Sequence, residues 1–315
     1  MTGGTFIEVS EKGQWVKVPA VRIGPDVVTI RGKGLRIAAV HDEWWQEREV
    51  EDPEAFVKQL KQRRGDVPRA DLFVFMQQVP GSQPKHKYAM EMESVAAART
   101  ASFKEWWESL PQESRKNTRR AEKRGVVISV RPLDDELIRG IMDVNNDSPV
   151  RQGGRNLHYG KSFEETKKDS SSFADRCDFI CAHCGDELIG FLKLVYKGEV
   201  AALLNLTTKA GHNDKRPANA LMTKAVELCA AKGASYLTYG LFNYGNKRSS
   251  PLRDFKVRNG FTEMLTPKFY VPLTAKGALA MRLGLHRGLL GVFPESVIAL
   301  AVRARGKWYD LKRTK

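Results

Sequence analysis

Between Arg115 and Arg124, six of ten residues are basic, and they fall in two interleaved rows. Arg115, Arg119 and Lys123 form one row; Lys116, Arg120 and Arg124 form the next. At about 100° per residue, rows stepping by four cover one half of a helix. Thr118 and Ala121 are left for the packed side, and Gly125 fits as the helix stop. Like charges four residues apart repel by a few tenths of a kcal/mol per pair, so this face costs stability unless an anion lies on it. A solvated basic face is the plain alternative.

Other reactive residue types are less organised. Cys177, Cys181, His183 and Cys184 suggest a metal cluster, but residues 181 and 184 of a strand face opposite sides. Cys229 lies in a helical stretch, so four tetrahedral ligands are not assembled and no metal is expected. The six histidines are scattered and no Gly-x-Ser-x-Gly occurs, so a covalent serine mechanism is not expected. The doublets Trp44/Trp45 and Trp106/Trp107 each turn at most one ring outward, which favours packing over base stacking.

These residues need elements to hold them. The pattern predicts a mixed α/β chain. An extended aromatic segment spans Ala39 to Val50, a helix runs from Pro53 to about Arg64, and strands cover 71–79 and 87–100. Ser102 with Glu105 reads as a capping box, and Pro111 ends the short helix it opens. After the basic helix come a β-branched strand at Val126–Val130 and a helix capped by Asp134. The segment from Asn145 to Lys161, which carries Arg151, is loop-like and expected to shape a substrate pocket. A second capping box (Ser162, Glu165) precedes three strands, 178–184, 188–196 and 200–208, joined by Gly185-Asp186 and Lys197-Gly198 turns. Then follow a helix from Pro217 to Lys232, a strand at 236–240, a helix from Ser250 to Asn259 and a strand ending at Pro272. From Thr274 onward two amphipathic helices broken at Pro294 are expected, packed across the domain. The second reading of this tail is contact with an anionic membrane surface. No internal repeat is visible.

The chain has 315 residues, enough for two domains, and a formal charge of +15 with a pI near 9.7. That balance favours polyanionic partners such as nucleic acid, phosphorylated cofactors, acidic carrier proteins or an anionic membrane. With 42% apolar residues, global disorder is excluded. Four irregularly spaced cysteines, no signal-peptide pattern and no apolar run of spanning length point to a cytoplasmic protein with no transmembrane segment.

The order strand, helix, helix, three-strand meander, helix, strand, helix, strand is similar to that of the GNAT acyltransferase superfamily. "RKNTRRAEKRGV", "GDELIGFLKLVYKGEVAALLNLT", "ANALMTKAVELCAAKGASYLTYG" and "SPLRDFKVRNGF" resemble blocks of the FemABX-like peptidyltransferases and a related acetyltransferase domain family. The resemblance covers roughly residues 103–273. It implies a GNAT-like fold of two packed domains: a degenerate copy over 1–112, an acyltransferase domain over 113–273, and a basic helical tail over 274–315.

The resemblance also assigns roles. Coenzyme-A-dependent members grip pyrophosphate with a Q/R-x-x-G-x-G/A loop of bare backbone amides. Here the loop reads Arg216-Pro217-Ala218-Asn219-Ala220-Leu221: it lacks the glycines, and Pro217 removes an amide. A resident cofactor is therefore not expected. The implied donor is an aminoacyl-tRNA, whose phosphates suit the strong positive charge. Donor contacts are expected from Arg115, Lys116, Arg119, Arg120, Arg124, Arg216, Asn219, Thr207 and Arg151. Lys256 matches the family's lysine before the last strand and is expected to stabilise developing charge, on a helix where Phe255 and Phe261 are the apolar anchors. Tyr244 is a candidate acid for the leaving group, and Asn205 a donor to the acyl carbonyl. The expected reaction joins an aminoacyl group to an amine of a small molecule or peptidoglycan precursor. The alternatives are an acyl-CoA or acyl-carrier-protein dependent N-acyltransferase and a non-catalytic RNA-binding module.

Overall fold

A computed structural model describes residues 5–62, 67–151, 154–243 and 250–287. The strands are β1 (Thr5–Glu11), β2 (Gln14–Ile23), β3 (Asp26–Arg31), β4 (Ile37–Val40), β5 (Leu72–Met76), β6 (Ala89–Arg99) and β7 (Val126–Arg131). They continue with a small hairpin, β8 (Val150–Arg151) and β9 (Gly154–Arg155), then β10 (Cys177–Cys184), β11 (Glu187–Lys197), β12 (Val200–Thr208), β13 (Tyr236–Leu241) and β14 (Thr262–Pro272). The helices are α1 (Pro53–Gln62), α2 (Phe103–Ser109), α3 (Gln112–Lys123), α4 (Asp135–Asn146), α5 (Phe163–Ser170), α6 (Pro217–Ala231), α7 (Pro251–Arg258) and α8 (Ala275–Arg282).

Twelve of the described strands make one sheet, in the order β1-β2-β3-β4-β5-β14-β6-β13-β12-β11-β10-β7. The order contains one motif twice. In each half an antiparallel meander (β2-β3-β4; β10-β11-β12) leads through a helix (α1; α6) to a parallel strand (β5; β13). The final strands are exchanged. β6, which follows β5 in the chain, pairs with β13, and β14, which follows β13, pairs with β5. β6 and β14 pair with each other and weld the halves along the middle of the sheet. Residues 126–273 thus do not close a sheet of their own: β6, from before residue 112, lies between β13 and β14.

Side-chain alternation divides the packing. In the second half, Ile180, Leu192 and Leu203 face α2, α3 and α6 with Leu221 and Val226, while Phe179, Cys181 and Phe191 face α4 with Leu137 and Ile141. In the first half α1 buries Phe56, Val57 and Leu60 against Phe73, Phe75 and Phe269. Each such side chain contributes ~1.5–3 kcal/mol on burial.

Several local expectations shift. The extended stretch expected from Ala39 ends at Val40, because Asp42 adopts a left-handed conformation and residues 43–45 coil into a short 3-10 turn. Ser102 caps α2 through the Glu105 amide alone, whereas Ser162 and Glu165 form the full reciprocal box. Three strands precede Ala39, where the sequence pattern signals none. The tail holds α8 and a short turn at 285–287; the rest of its expected helices lie outside the described residues.

Candidate active site: a split between two parallel strands

β12 and β13 pair over only three residues, Val200–Ala202 with Tyr236–Thr238, and then diverge. β12 keeps its other partner, β11, to its end, while β13 goes on to pair with β6 at Leu241. The divergence leaves a wedge beside Leu203–Thr208. A bulge at Leu204, between the Lys193–Asn205 and Leu194–Leu203 pairs, turns both Leu204 and Asn205 toward the α4/α5 face. Thr207 donates its hydroxyl to Asn205 Oδ1 at 2.9 Å, which orients the amide; Asn205 Nδ2 has no hydrogen-bond partner among the described residues.

The matching split in the first half is filled by its own chain. β4 and β5 also pair over three residues, Ile37–Ala39 with Leu72–Val74. There the connection after β4 folds back into the wedge. Glu43 Oε1 accepts the Met76 amide at 2.7 Å, Glu49 Oε1 accepts the Gln78 amide at 2.8 Å, and Gln78 Nε2 donates to Gln46 O at 2.9 Å. The connection after β12 is drawn away instead. Lys209 Nζ bonds Asp143 and, at 2.7 Å, Glu187, the Ala210 amide donates to Asp147, and Arg124 holds Asp214 at 2.9 Å. Among the described residues only the second copy keeps an open split.

On the α6 side of that split lie most of the basic residues singled out above. α3 packs on α6 through Thr118 and Thr223, 3.0 Å apart. Lys116, Arg119 and Arg124 are exposed and Arg115 and Arg120 are half-buried. Arg119 sits 5.9 Å over the Trp107 ring, and Arg120 donates to Asn117 at 2.8 Å. Arg216, the N-cap of α6, holds φ 58° and is exposed, and Pro217 occupies the first helical turn. Asn219 reaches Asn259 of the α7 end at 3.5 Å.

Lys256 is not on the surface of its helix: it has no exposed area and is among the largest fully buried side chains. Its Nζ donates to Leu241 O at 2.5 Å and lies 4.6 Å over Tyr239. Burial pushes its pKa down to about 8. Phe255 and Phe261 pack into the core as expected of the anchors of α7, and the lysine is itself a further anchor, at the end of β13. Tyr244 lies outside the described residues. Arg151 is half-buried and donates to Val144 O at 3.2 Å and Thr208 O at 3.1 Å, holding the 145–161 segment against the end of β12.

Across the sheet from α6 is a cavity of about 320 Å³ between the halves. The 145–161 segment supplies Asn145, His158 and Lys161; α5 supplies Asp169 and Ser170; the first half supplies Trp15, His41 and Trp45. Asn205 lines it, so the split and the cavity meet at this residue. Lys193, 2% exposed, donates to Ser170 O at 2.7 Å, to Ser172 O and to Ser172 Oγ, and burial brings its pKa down to about 8. The β1–β2 hairpin closes the cavity, and its tip presses so near the 157 backbone that a Cβ on Gly13 (φ +82°) would lie 2.6 Å from Leu157 O. Only glycine fits there.

The structure thus gathers the α3 arginines, Arg216 and Asn219 on one side of the split, with Asn205 and Thr207 at its edge. Trp15, His41, Asp169 and Lys193 carried no sequence signal, because they meet from four separate elements. The cysteines divide as strand alternation requires: Cys181 packs toward α4 and Cys184 toward α6.

Residues 109–248 match the family model of the acetyltransferase (GNAT) domain. No curated protein matches the chain. Among solved structures it is similar to FemX, with 11% identity, 89% of this chain and 90% of that chain covered, and a TM-score of 0.57. It is also similar to L-PGS from Bacillus licheniformis, with 15% identity, coverage of 82% and 86%, and a TM-score of 0.52. A third likeness is to the C-terminal domain of a putative lysylphosphatidylglycerol synthetase from Agrobacterium fabrum, at 14% identity, 89% and 87% coverage and a TM-score of 0.52. At these identities the structural likenesses establish the fold. The family match, over somewhat less than half of the chain, marks residues 109–248 as a GNAT-type domain, and the likeness to FemX is that of its two-domain fold. No helix of the described residues is long and apolar enough to cross a membrane.

Proposed function

We propose that this chain is a GNAT-type acyltransferase that moves an aminoacyl group from a charged tRNA to the amine of a small-molecule or cell-wall-precursor acceptor, with residues 113–273 as the catalytic copy. One observation carries the reading: the open β12–β13 split has the basic α3 face on one side and a polar cavity on the other, meeting at Asn205. A polyanionic donor approaches from the α3/α6 side and places its ester carbonyl in the wedge. The acceptor occupies the cavity, and its amine attacks from the opposite face. Asn205 Nδ2 and the edge of β12 beyond Ala202, which has no strand partner on that side among the described residues, supply donors to the oxyanion, and Lys256 at the end of β13 adds positive charge behind it.

The loop entering α6 supports tRNA over coenzyme A. A pyrophosphate cradle needs several free amides on a permissive backbone. This loop has Pro217 at the helix start, buried Leu221 where the motif has a small residue, and a non-glycine residue at positive φ. The names FemX and lysylphosphatidylglycerol synthetase accord with aminoacyl transfer, and the second suggests a lipid acceptor as an alternative to a soluble one. The match to an acetyltransferase domain favours a second reading, an acyl thioester donor. One assay separates them: label transfer from a pool of radiolabelled aminoacyl-tRNAs or from radiolabelled acetyl-coenzyme A to the amines of a cell extract. Ribonuclease-sensitive transfer supports the first reading. Transfer from acetyl-coenzyme A alone replaces it with the second, and RNA binding with no transfer leaves a non-catalytic module.

A further inference from the structure

Asp169 is where the cavity wall converges. Trp15 Nε1 donates to its Oδ1 at 3.0 Å, Lys161 Nζ donates to its Oδ2, and His158 Nδ1 lies 3.4 Å from that same oxygen. The carboxylate is 14% exposed and the Lys161 side chain 7%, whereas the imidazole is 41% exposed. Burial pushes the Asp169 pKa up, but His158 and Lys161 outweigh it and hold the group below the usual carboxylate range. Asp169 is therefore an acceptor at neutral pH. It favours the tautomer with the proton on Nδ1, which leaves a lone pair on Nε2. Nε2 has no hydrogen-bond partner among the described residues. The backbone under the ring is fixed, because His158 N donates to Asn156 Oδ1 at 3.1 Å and buried Asn156 donates to Asn145 O at 2.8 Å and Ser148 O at 2.9 Å.

We propose that His158, oriented by Asp169, is the base that deprotonates the acceptor amine in this cavity. The assignment rests on the acyl-transfer reading above. An acceptor ammonium gives one proton to His158 Nε2, and the freed amine nitrogen forms a bond to the ester carbonyl carbon. The carbon–oxygen bond to the tRNA ribose then breaks. Of the two protons shed by the nitrogen, one ends on the departing ribose hydroxyl and the other reaches solvent through the imidazolium. Asp169 is a positioning residue that stabilises that imidazolium. The other charged groups facing the cavity are Lys161, Lys193, His41, Asp42 and Arg31. Lys161 and Lys193 are already bonded, to Asp169 and to the 170–172 segment, and His41, 25% exposed, has its Nε2 3.3 Å from Asp42, so the more exposed His158 imidazole is the one suited to exchange a proton.

The test uses the full chain, pooled charged tRNA and two probe amines: glycinamide, which needs a base, and hydroxylamine, which is unprotonated at neutral pH. His158→Gln should slow transfer to glycinamide by about a hundredfold, within the range for a lost general base, and slow transfer to hydroxylamine much less. Asp169→Asn should do the same more weakly. Equal losses with both amines would mean that His158 only shapes the cavity or holds an acceptor anion, and an unchanged glycinamide rate would remove the role outright. Nitrogen-15 spectra of the histidines give a readout independent of transfer. The His158 ring should carry its proton on Nδ1 and shift in Asp169→Asn; a ring protonated on Nε2 overturns the dyad. Failure of the wild type to use either amine, with the Nδ1 tautomer intact, would count against the transfer reaction and the base role while leaving the pair as an observed structure.

Discussion

Trp15 and Asp169 are 154 positions apart, yet the indole N–H meets the carboxylate at 3.0 Å. This bond ties the first hairpin to α5 and shuts one wall of the cavity. Lys168 adds to the seam, with Glu8 at 2.5 Å and the Trp15 ring at 4.1 Å. A hydrogen bond to a charged acceptor in a mostly buried setting is worth about 1.5–3 kcal/mol. Trp15→Phe should lower stability by about that amount and speed amide exchange in β1 and the start of β2. Unchanged exchange there would show that the hairpin is held by packing alone.

Replacing Arg119, Arg120 and Arg124 together by Ala should weaken tRNA binding. It should also reduce the slope of log affinity against log salt by roughly one unit per lost phosphate contact. Arg124→Ala alone also frees Asp214 of the loop entering α6, so it should cost more affinity than Arg120→Ala. If affinity and salt slope both survive the triple change, α3 is a solvated face.

Lys256→Met keeps the volume of a side chain with no exposed surface and removes its ammonium. Turnover should fall about a hundredfold or more, in the range of lost electrostatic stabilisation. Lys256→Arg should rescue poorly, since the larger planar fork has no room under Leu241 and Tyr239. Kinetics with melting temperatures decide it: a normal rate refutes the charge role, and a collapsed melting temperature makes the lysine purely structural.

The filled split of the first half has a pH signature. Glu43 keeps some exposed surface, but its carboxylate points inward to the Met76 amide, and burial pushes its pKa from 4.5 up to about 8. A carboxyl with a raised folded pKa binds more protons folded than unfolded, so its contribution is whole below the unfolded pKa and is lost as pH rises through the folded one. Glu43→Gln stays neutral and escapes that loss. The melting-temperature difference, variant minus wild type, should therefore grow between about pH 5 and pH 8.5. A constant difference would place the carboxylate in water.

Most local structure in the second half was legible in the chain. The 3.6-residue rows of α3, the β-branched run of β7, the Gly turns around β11, the Ser162 box and Pro217 at the start of α6 all act on neighbours in sequence. Periodicity and capping therefore report them directly. The first three strands carried weaker alternation and were not legible. The gathering of cations on α3 was likewise readable, because a helix face is a property of spacing.

What only the tertiary structure decided is which distant segments meet. Nothing in the residues of β6 or β14 says that each pairs with the other half's parallel strand, since any extended backbone offers the same donors and acceptors. Glu43 reads as one acid among many until the first split closes over it, and Lys256 reads as an exposed helix cation until α7 turns it under Leu241. The cavity at Asp169 needs the hairpin, the 145–161 segment, α5 and β12 together. Its chemistry comes from burial and approach distance, which are properties of the packed chain and of no single stretch of it.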